Sequence, residues 1–424
     1  MRDFRSILNI LGLLLCIESF AMIIPLLFDL SYNNNDWKQF LYSSIFTFFI
    51  GIVLFISFKK ERLKINLRQA FVLTFSSWIL IAIFGAIPFI YSSSSLTYTD
   101  AFFESVSGIT TTGATVITNL DMLPEGILIW RSLLQWFGGI GIIVLALAIL
   151  PTLQIGGMQL LHMEHDDPYE KTIPKLNQFV FEIIILYVVL SFCCFALYYL
   201  NGMSGFDSII HSMTTISTGG FSSHDISFAY YDSQSIETVS ILFMIIGSLP
   251  FVIYLQFFHG QINSFLKDEQ IRIFFAILLI IILLTTVWLN KYQSLELSTS
   301  FRLAIFNITS ILTGTGYVSS NYSNWGSFGL VIMIIIMFIG GCAGSTTGGI
   351  KIFRLQLLFK GAKVQIKKLI QPHAVLMMRF NGKSVNENTY NSIMGFFFMY
   401  IFLFILSAVS LSLFNLDFLT AFSA

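Results

Sequence analysis

Three short threonine-glycine segments carry the chemistry of this chain. They read Thr110-Thr111-Thr112-Gly113-Ala114, Ser217-Thr218-Gly219-Gly220-Phe221 and Thr313-Gly314-Thr315-Gly316-Tyr317. None bears a charge at neutral pH. What they offer is backbone carbonyl and hydroxyl oxygen, which suits a bare cation that has shed its water. Carbonyls that all face one axis require alternating backbone twist, including positive φ, and glycine takes that conformation at little cost. Threonine beside it packs against the wall and stiffens the loop. A lone Thr-Gly pair means nothing, whereas three at the same place in a repeated unit are informative.

Such loops need a scaffold, and the composition says which kind. Hydrophobic residues make up 55% of the 424 and charged residues only 11%, against about a quarter in a soluble chain. Mean hydropathy is +0.79. Apolar runs near 6–28, 40–58, 70–91, 126–151, 178–200, 236–258, 271–289, 327–340 and 390–414 are candidates to cross a bilayer, which takes about 20 residues. The expected fold is an all-α polytopic membrane protein. The first run lacks a following small-residue cleavage site and reads as a span. With the N-terminus placed in the cytoplasm, 19 of the 23 basic residues fall inside, leaving only Lys38, Arg131, Lys291 and Arg302 outside. The positive-inside rule therefore orients the chain. Twelve acids fall outside, which leaves that side at −8. A negative mouth concentrates cations.

Each Thr-Gly segment follows an apolar helix and a short amphipathic stretch, and precedes another apolar helix. Asp100 precedes Gly113 by 13 residues and Asp207 precedes Gly219 by 12. The stretches between are too short to span, so they read as re-entrant half-helices whose carbonyl ends point inward, the negative end of the helix dipole. Irregular backbone at that depth is tolerated where it lines a water-filled path. The units expected are two N-terminal helices (1–60), then pore repeats at 69–152, 176–260 and 270–358, and an incomplete fourth at 388–424. In the register of Asp100 and Asp207, Asp417 would place a fourth glycine about 12–13 residues on, past Ala424. The expectation is a chain shortened within its fourth unit, with a native pore of four lining units.

Five segments together carry a family likeness: 102–115 (FFESVSGITTTGAT), 130–143 (WRSLLQWFGGIGII), 150–161 (LPTLQIGGMQLL), 214–221 (TTISTGGF) and 340–353 (GGCAGSTTGGIKIF). In them the chain resembles the Trk/Ktr/HKT superfamily of potassium transporters, and within it the TrkH-type membrane subunit. Thr315-Gly316-Tyr317 is also similar to the T-x-G-Y of potassium channels. The resemblance implies four pseudo-symmetric units behind two extra helices and one filter glycine per unit. It also implies a homodimer, a cytoplasmic nucleotide-binding regulatory subunit and a bacterial inner-membrane location. Family members conduct potassium inward and some carry sodium. The family's last helix, which commonly places an arginine beneath the filter, has no counterpart here. On this reading K+ is the only ligand. Its filter comprises Thr110, Thr111, Thr112 and Gly113, then Ser217, Thr218, Gly219 and Gly220, then Thr313, Gly314, Thr315, Gly316 and Tyr317. No organic cofactor, nucleic-acid partner or enzyme activity is expected, and membrane lipid surrounds the chain.

The run Gly340-Gly341-Cys342-Ala343-Gly344-Ser345-Thr346-Thr347-Gly348-Gly349 interrupts the apolar segment from 327. Its glycines cannot propagate a helix cheaply. With Lys351 it is expected to form a flexible gate below the filter; close helix packing by small residues is the alternative. Trp136-Phe137-Gly138-Gly139-Ile140-Gly141 lacks a preceding strand and reads as tight helix contact, not a nucleotide fingerprint. Arg131 either snorkels or pairs with an acid such as Glu104. Glu18 is an intramembrane carboxylate, a functional candidate by default or a helix contact. His162-Met163-Glu164-His165-Asp166-Asp167 has metal-capable side chains without a supporting ligand set. The bases from Lys351 to Lys368 suit anionic lipid headgroups or a regulatory subunit. Two other functions compete with a gated conduit: a sodium- or proton-coupled secondary cation transporter, and a non-conducting truncated subunit. A rocking carrier is expected to show inverted repeats and a buried charge at its site, whereas these repeats run parallel and their loops hold none.

Overall fold

The computed structural model describes residues 4–59, 67–93, 95–148, 172–261, 263–374, 376–416 and 418–423. The motif at 162–167 and the segment 150–161 lie outside them. The described residues are mostly helical. Two N-terminal spans come first: α1 (Arg5–Ala21) with α2 (Ile23–Ser31), then α3 (Trp37–Ser57). The α1–α2 join falls at Met22, because Pro25 has no N–H to give the carbonyl four residues back. Close packing of α1 on α3 needs small residues. A Cβ on Gly12 would lie 2.5 Å from the Phe55 nitrogen and 2.7 Å from the Gly51 oxygen.

Three units of like build follow. The first is α4 (Leu67–Gly85) with α5 (Ile87–Tyr91), the short α6 (Tyr98–Ile109), a loop, and α7 (Glu125–Ala148). The second is α8 (Thr172–Leu200), the short α9 (Gly205–Ile216), a loop, and α10 (Gln234–Ser248) with α11 (Phe251–Phe258). After α12 (Asn263–Lys267) the third is α13 (Glu269–Tyr292), α14 (Leu297–Leu312), a loop, and α15 (Gly326–Ile339). The chain continues through α16 (Ile352–Ile370), a two-residue hairpin pairing β1 (Arg379–Phe380) with β2 (Lys383–Ser384), α17 (Glu387–Ser412) and α18 (Phe418–Ser423). Among the described residues eight helices are long and apolar enough to span, and a ninth is a bent pair. This is a multi-pass membrane protein.

The bent pair corrects one expectation. The apolar run at 236–258 is not one straight span: α10 and α11 meet at 92°. Pro250 cannot donate a helical bond, and Leu249 before it is extended at φ −91°, ψ 157°. The break frees backbone groups at a depth without water, and residues 340–351 satisfy them. Cys342 N–H donates to Ser248 O (2.9 Å), Thr346 N–H to Gly247 O (3.2 Å), and Phe251 N–H to Gly344 O (3.0 Å). The two irregular segments therefore complete each other.

Candidate functional site

The half-helices α6, α9 and α14 set up the three Thr-Gly loops, called loops 1, 2 and 3 here. α6 and α9 start on capped ends, where Thr97 Oγ1 accepts from Asp100 N–H (3.2 Å) and Ser204 Oγ from Asp207 N–H (3.0 Å). α14 is 16 residues against 12 for the other two, and its N-cap, Glu296, makes no side-chain cap bond. All three end in one hydrogen-bond frame. Thr111, Thr218 and Gly314 each donate N–H to the carbonyl three residues back at 3.0 Å. Thr112, Gly219 and Thr315 each donate to the carbonyl five back at 2.9 Å.

Backbone twist then repeats. Positive φ occurs at Thr111 (55°) and Gly113 (79°), at Thr218 (51°) and Gly220 (81°), and at Gly314 (72°) and Gly316 (84°). Every second residue is left-handed in each loop, the alternation that turns successive carbonyls to one side. For threonine this region costs about 1–2 kcal/mol, so Thr111 and Thr218 hold strain that the frame must sustain. The same alignment corrects the register: the glycine matching Gly113 is Gly220, and it lies 13 residues after Asp207, as Gly113 does after Asp100. With the N–H groups spent on the half-helices, among the described residues the carbonyls of 110–113 and 313–316 accept no protein hydrogen bond.

The loops stand side by side in chain order. A Cβ on Gly113 would lie 2.1 Å from the Gly219 oxygen, and one on Gly220 only 1.6 Å from the Thr315 oxygen. Each carbonyl thus occupies the place a side chain would need on the preceding loop. The aromatics that follow Gly220 and Gly316 lean the same way. Phe221 of loop 2 reaches α6, where its ring would lie 3.5 Å from a Cβ on Gly108. Tyr317 of loop 3 is buried and its hydroxyl meets Thr214 Oγ1 (2.5 Å) and Thr215 Oγ1 (3.1 Å) of α9. Tyr317 thus ties loop 3 to the second unit.

Helix α7 backs loops 1 and 2 and, among the eight described spans apart from the bent pair, is the most buried. Arg131, Gln135, Gly138 and Gly139 form one helical stripe toward the loops. Arg131 does pair with an acid: its Nε donates to Glu104 Oε1 at 2.7 Å, with both side chains buried. Nη1 donates to Ser222 O (3.1 Å), Nη2 to Thr115 Oγ1 (3.1 Å), and the guanidinium lies 4.1 Å above the Phe221 ring. A Cβ on Gly138 would meet Ile109 O at 2.0 Å, and one on Gly139 would meet Ser217 Cβ at 2.9 Å. The glycines of α7 thus serve close contact, with the ends of two half-helices.

Residues 340–349 and Lys351 lie against loop 2 at the end opposite the capped half-helix starts. Thr346 Oγ1 donates to Ile216 O (3.2 Å) and Gly247 O (2.9 Å), and accepts from Thr218 Oγ1 (3.2 Å). Ala343 N–H donates to Gln270 Oε1 (2.9 Å), Ser345 Oγ bonds Thr347 Oγ1 (2.8 Å), and Lys351 Nζ donates to Ser345 O (3.4 Å). Gly340, Gly344 and Gly349 have positive φ, as does Lys351 at 70°. A Cβ on Gly340 would lie 2.2 Å from Gly348 O, and one on Gly341 would lie 2.6 Å from Thr347 Oγ1. The glycines give this segment tight turns and close approach.

Two features went unread in the sequence. One is Gln135, whose signal was a lone amide in an apolar run. The other is His224, which bridges Asp121 after loop 1 and Asp207 of α9. It bonds Asp121, lies 3.5 Å from Asp207 Oδ2, and stacks on Tyr230 with ring centres 3.5 Å apart. Burial pushes Asp207 up, but the His224 ring 3.5 Å away and hydrogen bonds from Ser223 and Ser204 prevail and hold its carboxyl well below the usual range. Burial pulls His224 down, and its contacts with Asp207 and Asp121 raise it on balance. Glu18, on α1, is buried with neither oxygen paired among the described residues; across Gly85 it faces Ser105 Oγ, also unpaired.

Parallel units of span, half-helix, alternating loop and span define a multi-pass membrane protein of repeated build. The chain belongs to the TrkH family, "Cation transport protein", which matches residues 37–424. It is 37% identical to the Escherichia coli K12 Trk system potassium uptake protein TrkH, over 99% of this chain and 88% of that one. It is 36% identical to TrkI of Halomonas elongata, over 100% and 86%. The crystal structure of the potassium transporter TrkH from Vibrio parahaemolyticus superposes with a TM-score of 0.93 at 35% identity, covering 100% of this chain and 88% of that one.

Proposed function

We propose that this chain carries potassium ions into a bacterial cell across the cytoplasmic membrane, with its N-terminus inside. The filter is formed by residues 110–113, 217–220 and 313–317, and the gate by residues 340–349 with Lys351. The observation that carries the reading is the alternation of positive φ at the same two positions of three loops, with the carbonyls of loops 1 and 3 accepting no protein hydrogen bond among the described residues. Such carbonyls replace a cation's water, and the half-helix ends beside them favour positive charge. Relatives and the superposed structure are named as potassium transport proteins. The chain works as a homodimer with a cytoplasmic nucleotide-binding regulator that acts on the gate segment.

The test is rubidium uptake by the purified chain in proteoliposomes under an inward-negative potential. Expected is uptake that about tenfold excess potassium abolishes and the same excess of sodium leaves largely intact, a preference worth at least about 1.4 kcal/mol. Equal block by the two ions refutes the filter. Uptake that stops without a sodium or proton gradient refutes the conduit.

A further inference from the structure

Gln135 is fully buried on α7, one turn from Arg131. Its amide brackets Gly220: Nε2 donates to Gly219 O at 2.6 Å, and Oε1 accepts from Phe221 N–H at 3.0 Å. A neighbouring strand makes that pair of bonds across a parallel ladder. The two bonds also fix the amide's orientation, because the reverse would set donor against donor and acceptor against acceptor. A Cβ on Gly219 would lie 2.4 Å from Gln135 Cδ, so only glycine admits the amide. Loops 1 and 3 place threonine at this position, and among the described residues neither Thr112 O nor Thr315 O accepts a protein hydrogen bond.

We propose that Gln135 is a selectivity-determining positioning residue: it tethers Gly219 O to α7, so one carbonyl at the level of Thr112 and Thr315 cannot swing toward a small ion. This rests on the conducting role proposed above. The tethered oxygen has one lone pair committed and its direction fixed. Potassium sits in the wide ring that the untethered carbonyls make. Sodium is smaller and needs the same oxygens to close in to shorter contacts, and the tether denies it one. Cutting the tether lets the ring contract and improves sodium's fit.

The test compares Gln135→Leu and Gln135→Glu by rubidium uptake, with KM for rubidium and the inhibition constant for sodium read separately. Their ratio does not depend on how much folded protein reaches the membrane. Leu removes both bonds. Expected is a ratio about 5–10-fold closer to unity, the scale of one lost hydrogen bond. Glu keeps the acceptor for Phe221 and regains a donor only when protonated. At this fully buried position desolvation raises the carboxyl far above its ordinary range, so the variant's ratio is expected near wild type at about pH 5.5 and near the Leu variant at about pH 8.5, with wild type flat between. If Leu prevents folding, the Glu variant's pH dependence decides alone. A Leu ratio within about twofold of wild type, or a Glu variant whose ratio does not change with pH, overturns the proposal. Wild-type chain without a potassium preference refutes the underlying filter instead.

Discussion

Replacing Gly220 with alanine separates two costs that its backbone twist and its close neighbour impose. Gly220 has φ of +81°, and a Cβ there would lie 1.6 Å from the Thr315 oxygen. The backbone strain is worth about 1–2 kcal/mol. The contact cannot be relieved by rotating a side chain, because the obstacle is backbone, so loops 2 and 3 must part. Forced overpacking of this kind costs about 1–3 kcal/mol, which brings the total to about 2–5 kcal/mol. Two controls isolate the terms. Gly202 has φ of +94° with nothing within 4 Å of its Cβ, so Gly202→Ala shows strain alone. Gly348 has neither positive φ nor a neighbour within 4 Å, so Gly348→Ala leaves stability unchanged. Denaturation in mixed micelles ranks the three. Rubidium uptake with sodium competition then reports on the loop, where only Gly220→Ala is expected to lose discrimination. A Gly220→Ala protein that unfolds with Gly202→Ala, or keeps wild-type discrimination, refutes the argument that neighbouring loops meet through that oxygen.

Arg131→Met leaves Glu104 buried and charged, and breaking such a pair costs about 3–5 kcal/mol. The double change Arg131→Met with Glu104→Gln is expected to recover part of it, measured as a coupling energy by denaturation in micelles. The His224 clamp predicts a pH window. His224 is raised above its usual 6.5, so its contribution is full below about pH 6.5 and lost as pH rises through the folded value. Asp207 is depressed from its usual 3.8, so its contribution holds above about pH 4 and is lost as pH falls through the folded value. The groups facing His224 are Asp121, Asp207, His211, Tyr230 and Tyr231. Thermal unfolding of His224→Gln against pH is expected to lose the alkaline decline, and a decline as steep as wild type's contradicts the assignment.

How much was legible depended on where the information lay. Apolar length and charge asymmetry set the membrane fold, because a bilayer constrains both. The loops were legible as a triplicated pattern, and the positive φ they demanded is found at Gly113, Gly220, Gly314 and Gly316. Their register was off by one in the second unit. Gly219 and Gly220 are adjacent, and what tells them apart is the positive φ of Gly220, the Gln135 amide on one and the Thr315 oxygen on the other. The bend in 236–258 was hidden because Pro250 is ambiguous until residues 340–351 are known to fill the break. His224 was unreadable for the same reason: its partners lie 103 and 17 residues away in the chain.

These long-range contacts constrain how the proposed gate opens. Moving residues 340–351 away from loop 2 would strip Gly247 O and Ser248 O of their donors and Phe251 N–H of its acceptor. It would also take Thr346 from Ile216 O, at the end of the second half-helix. An unmade bond at that depth costs about 1–3 kcal/mol, so four together exceed what thermal motion supplies. Opening therefore needs either water to enter with the motion or α10 and α11 to move with the segment. In the second case Thr346 would carry the motion to Thr218, one of the two strained threonines of the filter. On the proposed function, a gate built this way would report on the filter above it.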